Sequence, residues 1–330
     1  MKRHGTWIPT LIVCSAIAFV IGPTTGSAFA QEKETNPQEP AKKPVYDEAA
    51  DAHVDIANAL KKAKKENRRV LIQWGANWCG WCTLLDGAFK SDRNISRKLM
   101  YEYDLVHVDI GKWDKHLDLV EKYGADIKNT GVPYLTILDG DGKVIANQDT
   151  GSLELKGDGE SGHDLEKVLN FLTEHQAAYR KASDIFEEGL ARAKKDHKRV
   201  FLHFGAPWCG WCHRLENWMA QPEIAKILAK EFVDIKIDED RTIGGRDLEA
   251  KLREGESAGI PWFAILNAEG ETLVTSDGPK GNVGFPVADH EVGYFMEMLQ
   301  KHTENLTDDD IATLETSLKA IGKKLQEGSH

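Results

Sequence analysis

The chain has 330 residues, 41% of them apolar, and a formal net charge of −11. This length is typical of about two domains, each with enough apolar residues for its own core. The acidic balance excludes proteins that hold nucleic acid or anionic membrane surfaces by general electrostatic attraction, so we expect no nucleic-acid partner.

Residues 1–30 have the pattern of an export signal. A basic start is followed by an apolar core over residues 11–21 and by Ala28-Phe29-Ala30, which suits cleavage after Ala30. The core is too short to span a bilayer stably, and an uncleaved anchor and a lipid attached to Cys14 are the two alternatives. No later segment is apolar enough to cross a membrane. We therefore expect a periplasmic or secreted protein with no membrane insertion after signal removal.

The five cysteines are distributed in an informative way. Cys14 lies in the predicted signal, and the other four form two Cys-x-x-Cys pairs, Cys79 with Cys82 and Cys209 with Cys212. A secreted protein braced by disulfides usually scatters its cysteines so that they close long loops. The arrangement in two tight pairs therefore indicates chemistry rather than bracing.

The chain after the signal divides into a tether, two repeats and a tail. Residues 31–44 are rich in Pro, Glu, Lys and Gln, which predicts a disordered tether. Residues 45–177 and 178–302 then repeat each other, since each holds a Trp-Cys-Gly-Trp-Cys segment and a later Gly-Val-Pro or Gly-Ile-Pro segment. The repeat is as long as a small domain and too long for a solenoid, so we interpret it as a tandem duplication. These are called the first and second domains below.

The first domain has a mixed pattern of helices and strands. Helices are predicted over residues 47–65, 82–90, 95–103, 113–123 and 164–175. Strands are predicted over residues 70–75, 105–110, 135–138 and 143–146, with Asp139-Gly140-Asp141-Gly142 joining the last two in a hairpin. Strands that alternate with helices and then end in an antiparallel hairpin predict an α/β fold with a mixed central sheet sandwiched by helices.

The second domain repeats this order between residues 183 and 302. Gly-rich stretches over residues 156–162 and 277–284 are predicted as connecting loops. Residues 303–330 differ from both domains, because Thr307 and three aspartates begin an amphipathic helix there. Its apolar stripe consists of Ile311, Leu314, Leu318, Ile321 and Leu325. This helix either packs on the second domain or pairs with a partner helix.

Each Cys-x-x-Cys pair lies where a predicted strand ends and a helix begins. A thiolate rather than a thiol attacks a disulfide, and the unpaired N–H groups and dipole at a helix N-terminus favour an anion. We therefore assign Cys79 and Cys209 as catalytic nucleophiles. The second cysteines, Cys82 and Cys212, are then the more shielded thiols that resolve a mixed disulfide.

Two alternatives would give the cysteines another role. Residues 209–213 have the sequence Cys-Gly-Trp-Cys-His, the attachment signature of c-type haem, in which His213 follows the second cysteine. In the first domain, Thr83 stands at the matching position after Cys82. Two Cys-x-x-Cys knuckles also build zinc sites, usually with ~15–20 residues between them. Here a whole domain intervenes. We therefore expect no bound cofactor and no metal.

The apolar strand, the Trp-Cys-x-x-Cys segment and the later Gly-Val-Pro or Gly-Ile-Pro resemble the thioredoxin superfamily over residues 45–302. This resemblance implies two thioredoxin-like domains. It also implies that Pro133 and Pro261 are cis and face the cysteine pairs. Val132 and Ile260 would then offer backbone groups to an extended substrate strand.

Tryptophans surround both predicted sites. Trp81 and Trp211, in the spacers between the cysteines, make the chain resemble periplasmic reductase modules such as the C-terminal domain of the transmembrane thiol:disulfide interchange protein. Together with Trp78 and Trp208 they are predicted substrate contacts. For four aromatic residues the choice between a partner-binding platform and the core is open: Trp78, Trp208, Tyr134 and Trp262. Trp74 and Phe204 are assigned to the core.

One position departs from the family pattern. Thioredoxins usually carry a buried aspartate six residues before the first cysteine, which relays a proton for the resolving thiol. Gln73 and His203 stand there in this chain. Gln73 does not titrate, whereas a histidine titrates near ~6.5. His203 is therefore a candidate proton relay in the second domain, with a purely structural histidine as the alternative.

These observations predict an exported thiol-disulfide oxidoreductase that exchanges disulfides with protein partners through both pairs. The spacer tryptophans favour the reductase or isomerase direction. A dithiol reductase outside the cytoplasm needs electrons, which implies a membrane electron donor. The alternative is a chaperone-like or assembly module that binds partners without catalysis.

Overall fold

The computed structural model describes residues 43–157, 161–254 and 259–327. The predicted signal and nearly all of the predicted tether lie outside the described residues. Residues from Pro44 onward belong to one structural unit that contains both cysteine pairs. The exact domain boundaries stay predictions.

The first domain contains a four-stranded sheet and helices on both of its faces. Its strands are β1 (Arg69–Gly75), β2 (Tyr103–Asp109), β3 (Tyr134–Leu138) and β4 (Val144–Asp149). Its helices are α1 (Ala52–Glu66), α2 (Gly80–Ser91), α3 (Arg93–Glu102), α4 (Leu117–Lys122), α5 (Ile127–Thr130), a 3-10 turn (Thr150–Leu153) and α6 (Leu165–Glu174).

The second domain repeats this arrangement. Its strands are β5 (Arg199–Gly205), β6 (Phe232–Asp238), β7 (Trp262–Leu266), β8 (Thr272–Thr275), β9 (Asp277–Gly278) and β10 (Gly281–Asn282). Its helices are α7 (Ala182–Asp196), α8 (Gly210–Met219), α9 (Pro222–Glu231), α10 (Gly245–Leu252) and α11 (Asp289–Lys301), and α12 (Asp308–Glu327) follows.

Both large sheets have the predicted mixed topology. The strand orders are β2-β1-β3-β4 and β6-β5-β7-β8. The β1–β2 and β5–β6 pairs are parallel, and the other pairs are antiparallel. Trp74 pairs with Tyr134, and Phe204 pairs with Trp262. The α/β fold with mixed sheets between helices is therefore confirmed.

Alternation along β1 explains the layers. Ile72 and Trp74 face a cluster with Ile56 of α1, whereas Leu71 faces a cluster with Leu85 of α2. Successive side chains of a strand point to opposite faces, so an apolar run such as β1 must be covered on both sides. Trp74 and Phe204 are fully buried, as predicted.

Several helix boundaries differ from the sequence pattern. Helix α1 begins only after Asp51, whose carboxylate accepts two backbone N–H groups as the N-cap. Helix α4 begins at Leu117, because Trp113 (φ 68°) and His116 (φ 53°) adopt left-handed conformations that interrupt a longer helix. Helix α5 and the 3-10 turn were not predicted, since one turn is too short to show a period. The predicted loop over residues 277–284 contains the short β9–β10 ladder.

Helix α12 packs on the second domain, which decides between the two alternatives for the tail. Ile311, Leu314 and Leu318 are buried in the cluster that contains Trp218 and Phe295. The Trp218 indole also donates to the Ser317 hydroxyl at 3.1 Å. Among the helices in the described ranges, none is both long and apolar enough to pass through a bilayer.

Candidate active site

Both leading cysteines occupy the N-cap of a helix. Cys79 caps α2 and Cys209 caps α8, directly after the turns that follow β1 and β5. The sulfur of each accepts the backbone N–H of the second cysteine of its pair, at 3.1 Å in both domains. The strand-to-helix position predicted from the sequence is therefore present, with an N–H group pointing at the sulfur.

Each pair forms a disulfide within its own motif, Cys79 with Cys82 and Cys209 with Cys212. The leading cysteine is the more exposed member in both domains. Exposure is 6% for Cys79 against 0% for Cys82, and 4% for Cys209 against 2% for Cys212. This order agrees with an attacking first sulfur and a shielded second one.

A cis proline lies against each pair. The Val132–Pro133 and Ile260–Pro261 peptide bonds are cis, as the resemblance implies. The Val132 carbonyl oxygen lies 3.5 Å from the Cys79 sulfur, and the Ile260 carbonyl oxygen lies 3.7 Å from the Cys209 sulfur. The loops before β3 and β7 thus border both disulfides. Substrate binding by these residues stays a prediction.

The tryptophans divide into surface and core groups. Trp78, Trp81, Trp208 and Trp211 are exposed around the cysteine pairs. Tyr134 and Trp262 are buried in the sheet cores. The platform interpretation therefore fits Trp78 and Trp208, and the core interpretation fits Tyr134 and Trp262.

The exposed tryptophans have different supports in the two domains. Trp81 lies edge-to-face against His163, whereas Trp211 lies against Phe285. The Trp78 indole donates to the Gly111 carbonyl oxygen at 2.6 Å and lies beside Trp113. Sequence reasoning missed Trp113, which the pattern had placed inside a helix.

Gln73 lies beneath the first pair, in contact with a residue that sequence reasoning missed. Its amide donates to the Tyr46 hydroxyl at 2.9 Å and to the Cys82 carbonyl oxygen at 3.1 Å. A Cβ added to Gly75 would collide with both the Tyr46 hydroxyl and the Cys82 sulfur. Burial raises the pKa of Tyr46, so its hydroxyl is a neutral group beside the resolving cysteine.

His203, the candidate relay of the second domain, is buried and bound to a carboxylate. Its Nε2 lies 2.9 Å from Asp234 Oδ1, and Lys65 of the first domain lies 3.4 Å from Asp234 Oδ2. Burial alone would raise the pKa of Asp234, but His203 and Lys65 outweigh it and hold the pKa at about 2. The relay role of His203 stays a prediction, and the observed bond to Asp234 is one that a structural histidine also makes.

A carboxylate follows each resolving cysteine by four residues. In the second domain, a Cβ on Gly205 would lie 3.4 Å from the Cys212 sulfur and 3.7 Å from Glu216 Oε1, so both groups face one space. Lys236 pairs with Glu216 at 2.8 Å. Sequence reasoning missed Glu216, although a four-residue spacing on a helix indicates a shared face.

The first domain has Asp86 and His107 at the corresponding positions. The His107 Nε2 lies 3.4 Å from Asp86 Oδ1, and Lys90 pairs with the other carboxylate oxygen at 2.6 Å. Burial lowers the pKa of His107 against the opposing effect of Asp86. Each domain therefore pairs a carboxylate, one helical turn after its resolving cysteine, with a basic side chain on the neighbouring strand.

Within the described ranges, no three histidine, cysteine, aspartate or glutamate side chains cluster in a way that suits a metal ion. The ring of His213 hydrogen-bonds the Pro207 carbonyl oxygen at 2.9 Å, a contact within its own loop and helix.

Comparison with known families gives matches in both domains. A family model described as thioredoxin-like domain matches residues 56–156, and one described as thioredoxin-like matches residues 181–268. These ranges contain both cysteine pairs.

Curated relatives include two fungal proteins. Protein disulfide-isomerase tigA of Aspergillus niger is 24% identical over 233 residues, which cover 67% of this chain and 58% of the relative. Protein disulfide-isomerase erp38 of Neurospora crassa is 26% identical over 188 residues, which cover 54% of this chain and 46% of the relative. The chain thus spans about half the length of these relatives.

Among solved structures, the disulphide isomerase from Xylella fastidiosa Temecula1 is 28% identical, with a TM-score of 0.35, and the match covers 41% of this chain and 98% of that one. The family matches cover both cysteine pairs, each of which lies at a helix N-terminus. The chain belongs to the thioredoxin superfamily and carries two thioredoxin-like domains in tandem.

Proposed function

We propose that this protein is a thiol-disulfide oxidoreductase that exchanges disulfides with protein partners at both cysteine pairs. One observation carries the proposal: the sulfur of each leading cysteine caps a helix and accepts a backbone N–H. That position favours the thiolate, which is the form that attacks a disulfide. The duplication of this arrangement supports two working sites rather than one.

The reaction starts from the reduced pair. The Cys79 or Cys209 thiolate attacks one sulfur of the partner's disulfide, and the partner's other sulfur leaves as a thiolate. The second cysteine then loses its proton and attacks the leading sulfur, which releases the partner's remaining sulfur. Two electrons have passed to the partner, and the pair ends as the disulfide seen in the structure.

The second cysteine needs a proton acceptor before it can resolve the mixed disulfide. In the second domain we assign this role to Glu216, because it faces the same space as the Cys212 sulfur and is held there by Lys236. His203 is the second candidate, on the strength of its place in the family pattern. In the first domain Asp86 occupies the position that corresponds to Glu216.

Protein partners are favoured by the exposed tryptophans and by the carbonyl groups of Val132 and Ile260 beside the two leading sulfurs. The reductase or isomerase direction is favoured by the spacer tryptophans and by the protein disulfide-isomerases among the relatives. Direction depends on reduction potential, and a difference of about 30 mV corresponds to ~1.4 kcal/mol.

Export and an electron donor complete the proposal. The pattern of residues 1–30 supports export to the periplasm or secretion, and a reductase outside the cytoplasm needs a membrane protein that supplies electrons. Mass spectrometry of the protein recovered from expressing cells tests the first part. A mature chain that begins at Gln31 is expected, and a chain that keeps residues 1–30 would contradict export by cleavage.

Insulin reduction by dithiothreitol tests the activity itself. The wild type should accelerate the reduction, Cys79→Ser and Cys209→Ser should each keep the activity of the other site, and the double variant should not exceed the uncatalysed rate. No acceleration by the wild type would favour the chaperone-like or assembly module instead.

A further inference from the structure

Asp240 connects the two domains beside the second cysteine pair. Its Oδ2 accepts the indole N–H of Trp208 at 2.9 Å and the hydroxyl of Tyr101, from the first domain, also at 2.9 Å. Its Oδ1 accepts from Arg246 at 2.6 Å. Trp208 directly precedes Cys209, so the first domain lies only two hydrogen bonds from the residue next to the leading cysteine.

The loop that carries Asp240 is anchored in the first domain. The neighbouring Arg241 is buried, pairs with Glu102 at 3.1 Å, and donates to the backbone carbonyl oxygens of Glu66 at 2.9 Å and Asn67 at 2.8 Å. The Tyr179 hydroxyl donates to the same Glu102 at 2.6 Å. Arg241 therefore anchors the loop beside Asp240 to the first domain, and Asp240 is also held within its own domain by Arg246 and by its backbone N–H to Asp238 Oδ1.

Asp240 is charged at neutral pH. Burial alone would raise the pKa of Asp240, but the hydrogen bonds from Arg246, Trp208 and Tyr101 outweigh it and lower the pKa. A hydrogen bond to an ionised carboxylate is stronger than one between neutral groups. The indole of Trp208 is thus held by a strong acceptor, although the residue is 56% exposed.

The first domain holds its own tryptophan differently. Trp78 donates to the backbone carbonyl oxygen of Gly111, which occupies the position of Asp240 in the duplicated fold. The equivalence follows from matching hydrogen bonds just before these residues, Ile110 N–H to Gly75 and Glu239 N–H to Gly205. The Trp78 bond stays within the first domain, so of these two tryptophans it is Trp208 that is linked by hydrogen bonds to the other domain.

We propose that Tyr101 and Asp240 are positioning residues that hold the Trp208 indole in the orientation in which the second site receives a polypeptide disulfide. This rests on the proposed function. The indole is the exposed surface next to Cys209 that a polypeptide would contact. A small disulfide reagent, in contrast, needs access only to the Cys209 sulfur. The second site therefore depends on the first domain for polypeptide binding and not for its reactivity toward small reagents.

Full-length variants with one working pair test this. In a Cys79→Ser, Cys82→Ser background, Tyr101→Phe should raise the KM for insulin roughly two- to tenfold, the range expected for one hydrogen bond. The kcat and the rate with 5,5′-dithiobis(2-nitrobenzoate) should not change. In a Cys209→Ser, Cys212→Ser background, the same substitution should leave the KM unchanged. An unchanged KM in the first background would overturn the proposal.

Matched variants separate the hydrogen-bond chain from general loosening of the interface. Tyr179→Phe removes a hydroxyl from the same interface without touching Asp240, so the KM should stay at the parental value. Asp240→Ala should reproduce Tyr101→Phe, and Asp240→Asn, which keeps an acceptor oxygen but loses the charge, should raise the KM less than Asp240→Ala. An equal rise of the KM in Tyr179→Phe would overturn the assignment to Tyr101.

An NMR signal tests the contact independently of turnover. The indole ¹⁵N–¹H resonance of Trp208, assigned through Trp208→Phe in the full chain, should shift in Tyr101→Phe and not in Tyr179→Phe. A resonance that does not move in Tyr101→Phe would overturn the proposal. If wild-type protein failed to reduce insulin, the proposed function would fail, and this resonance would still decide whether Tyr101 positions Trp208.

Discussion

Glu216 lies one helical turn after Cys212, and its carboxylate faces the same space over Gly205 as the Cys212 sulfur. The family pattern places a candidate proton acceptor on the strand, at His203. His203 is bound to Asp234, and Glu216 faces the same space as the Cys212 sulfur. This relationship makes the resolving step of the second site open to a direct test.

Glu216→Gln should slow resolution at the second site by roughly 10²-fold, because it removes the proton acceptor near Cys212. The mixed disulfide on Cys209 should then accumulate and be visible by mass spectrometry after an acid quench. His203→Gln is the matched control and should leave the pH–rate profile unchanged. A changed profile in His203→Gln together with normal turnover in Glu216→Gln would assign the relay to His203.

Acid should destabilise the first domain through His163. This ring is buried against Trp81, neither nitrogen has a hydrogen-bond partner within the described residues, and burial lowers its pKa below the ordinary 6.5. Between the lowered pKa of the folded state and 6.5, the unfolded chain therefore binds a proton at His163 that the folded chain does not bind. Stability should fall as the pH drops through 6.5 and level off below the lowered folded pKa.

His163→Phe, which copies Phe285 beside Trp211 in the second domain, should remove this contribution to the pH dependence. Urea unfolding of both proteins between pH 7.5 and pH 5 would measure it. The same slope of stability against pH in the wild type and the variant would contradict the assignment.

Arg241→Met should cost about 3–5 kcal/mol of stability, because it leaves the buried Glu102 carboxylate without its charged partner. Lys319→Met removes one partner of an exposed pair with Glu315 and should cost far less stability than Arg241→Met. Urea denaturation would measure both. Equal costs would show that the Arg241–Glu102 pair does not hold the two domains together.

Leu318→Ala should destabilise the protein by about 2–5 kcal/mol, because the side chain is fully buried between α12 and the second domain. Leu84→Ala, at an exposed position of α2, is the control and should have little effect. The free energy of unfolding is again the measurement. Similar values for the two variants would mean that α12 is not part of the core.

The sequence was sufficient for the local features of this protein. The apolar run of β1 and the alternation of strands with helices predicted the mixed sheet, and the strand-to-helix position predicted the caps at Cys79 and Cys209. The 3-4 stripe predicted α12, and burial of Leu318 decided how it packs. Each of these depends on neighbours close in the chain, where spacing determines geometry.

Contacts between distant residues could not be predicted in the same way. Tyr46 precedes the first helix and reaches Cys82 only because the fold brings it over Gly75. The Tyr101–Asp240 bond joins residues 139 positions apart, and no periodic pattern relates them. Such pairs depend on how the elements pack, and no short spacing in a single sequence predicts that packing.

The most direct test of the account is the pH dependence of alkylation of the reduced protein by iodoacetamide, followed for each cysteine by mass spectrometry. Helix N-caps in Cys-x-x-Cys pairs should give Cys79 and Cys209 thiol pKa values at least ~1 unit below the ordinary ~8.5, and Cys82 and Cys212 should react more slowly. Leading thiols that titrate at the ordinary value, or that react no faster than the second cysteines, would contradict thiol-disulfide exchange at these two helix ends.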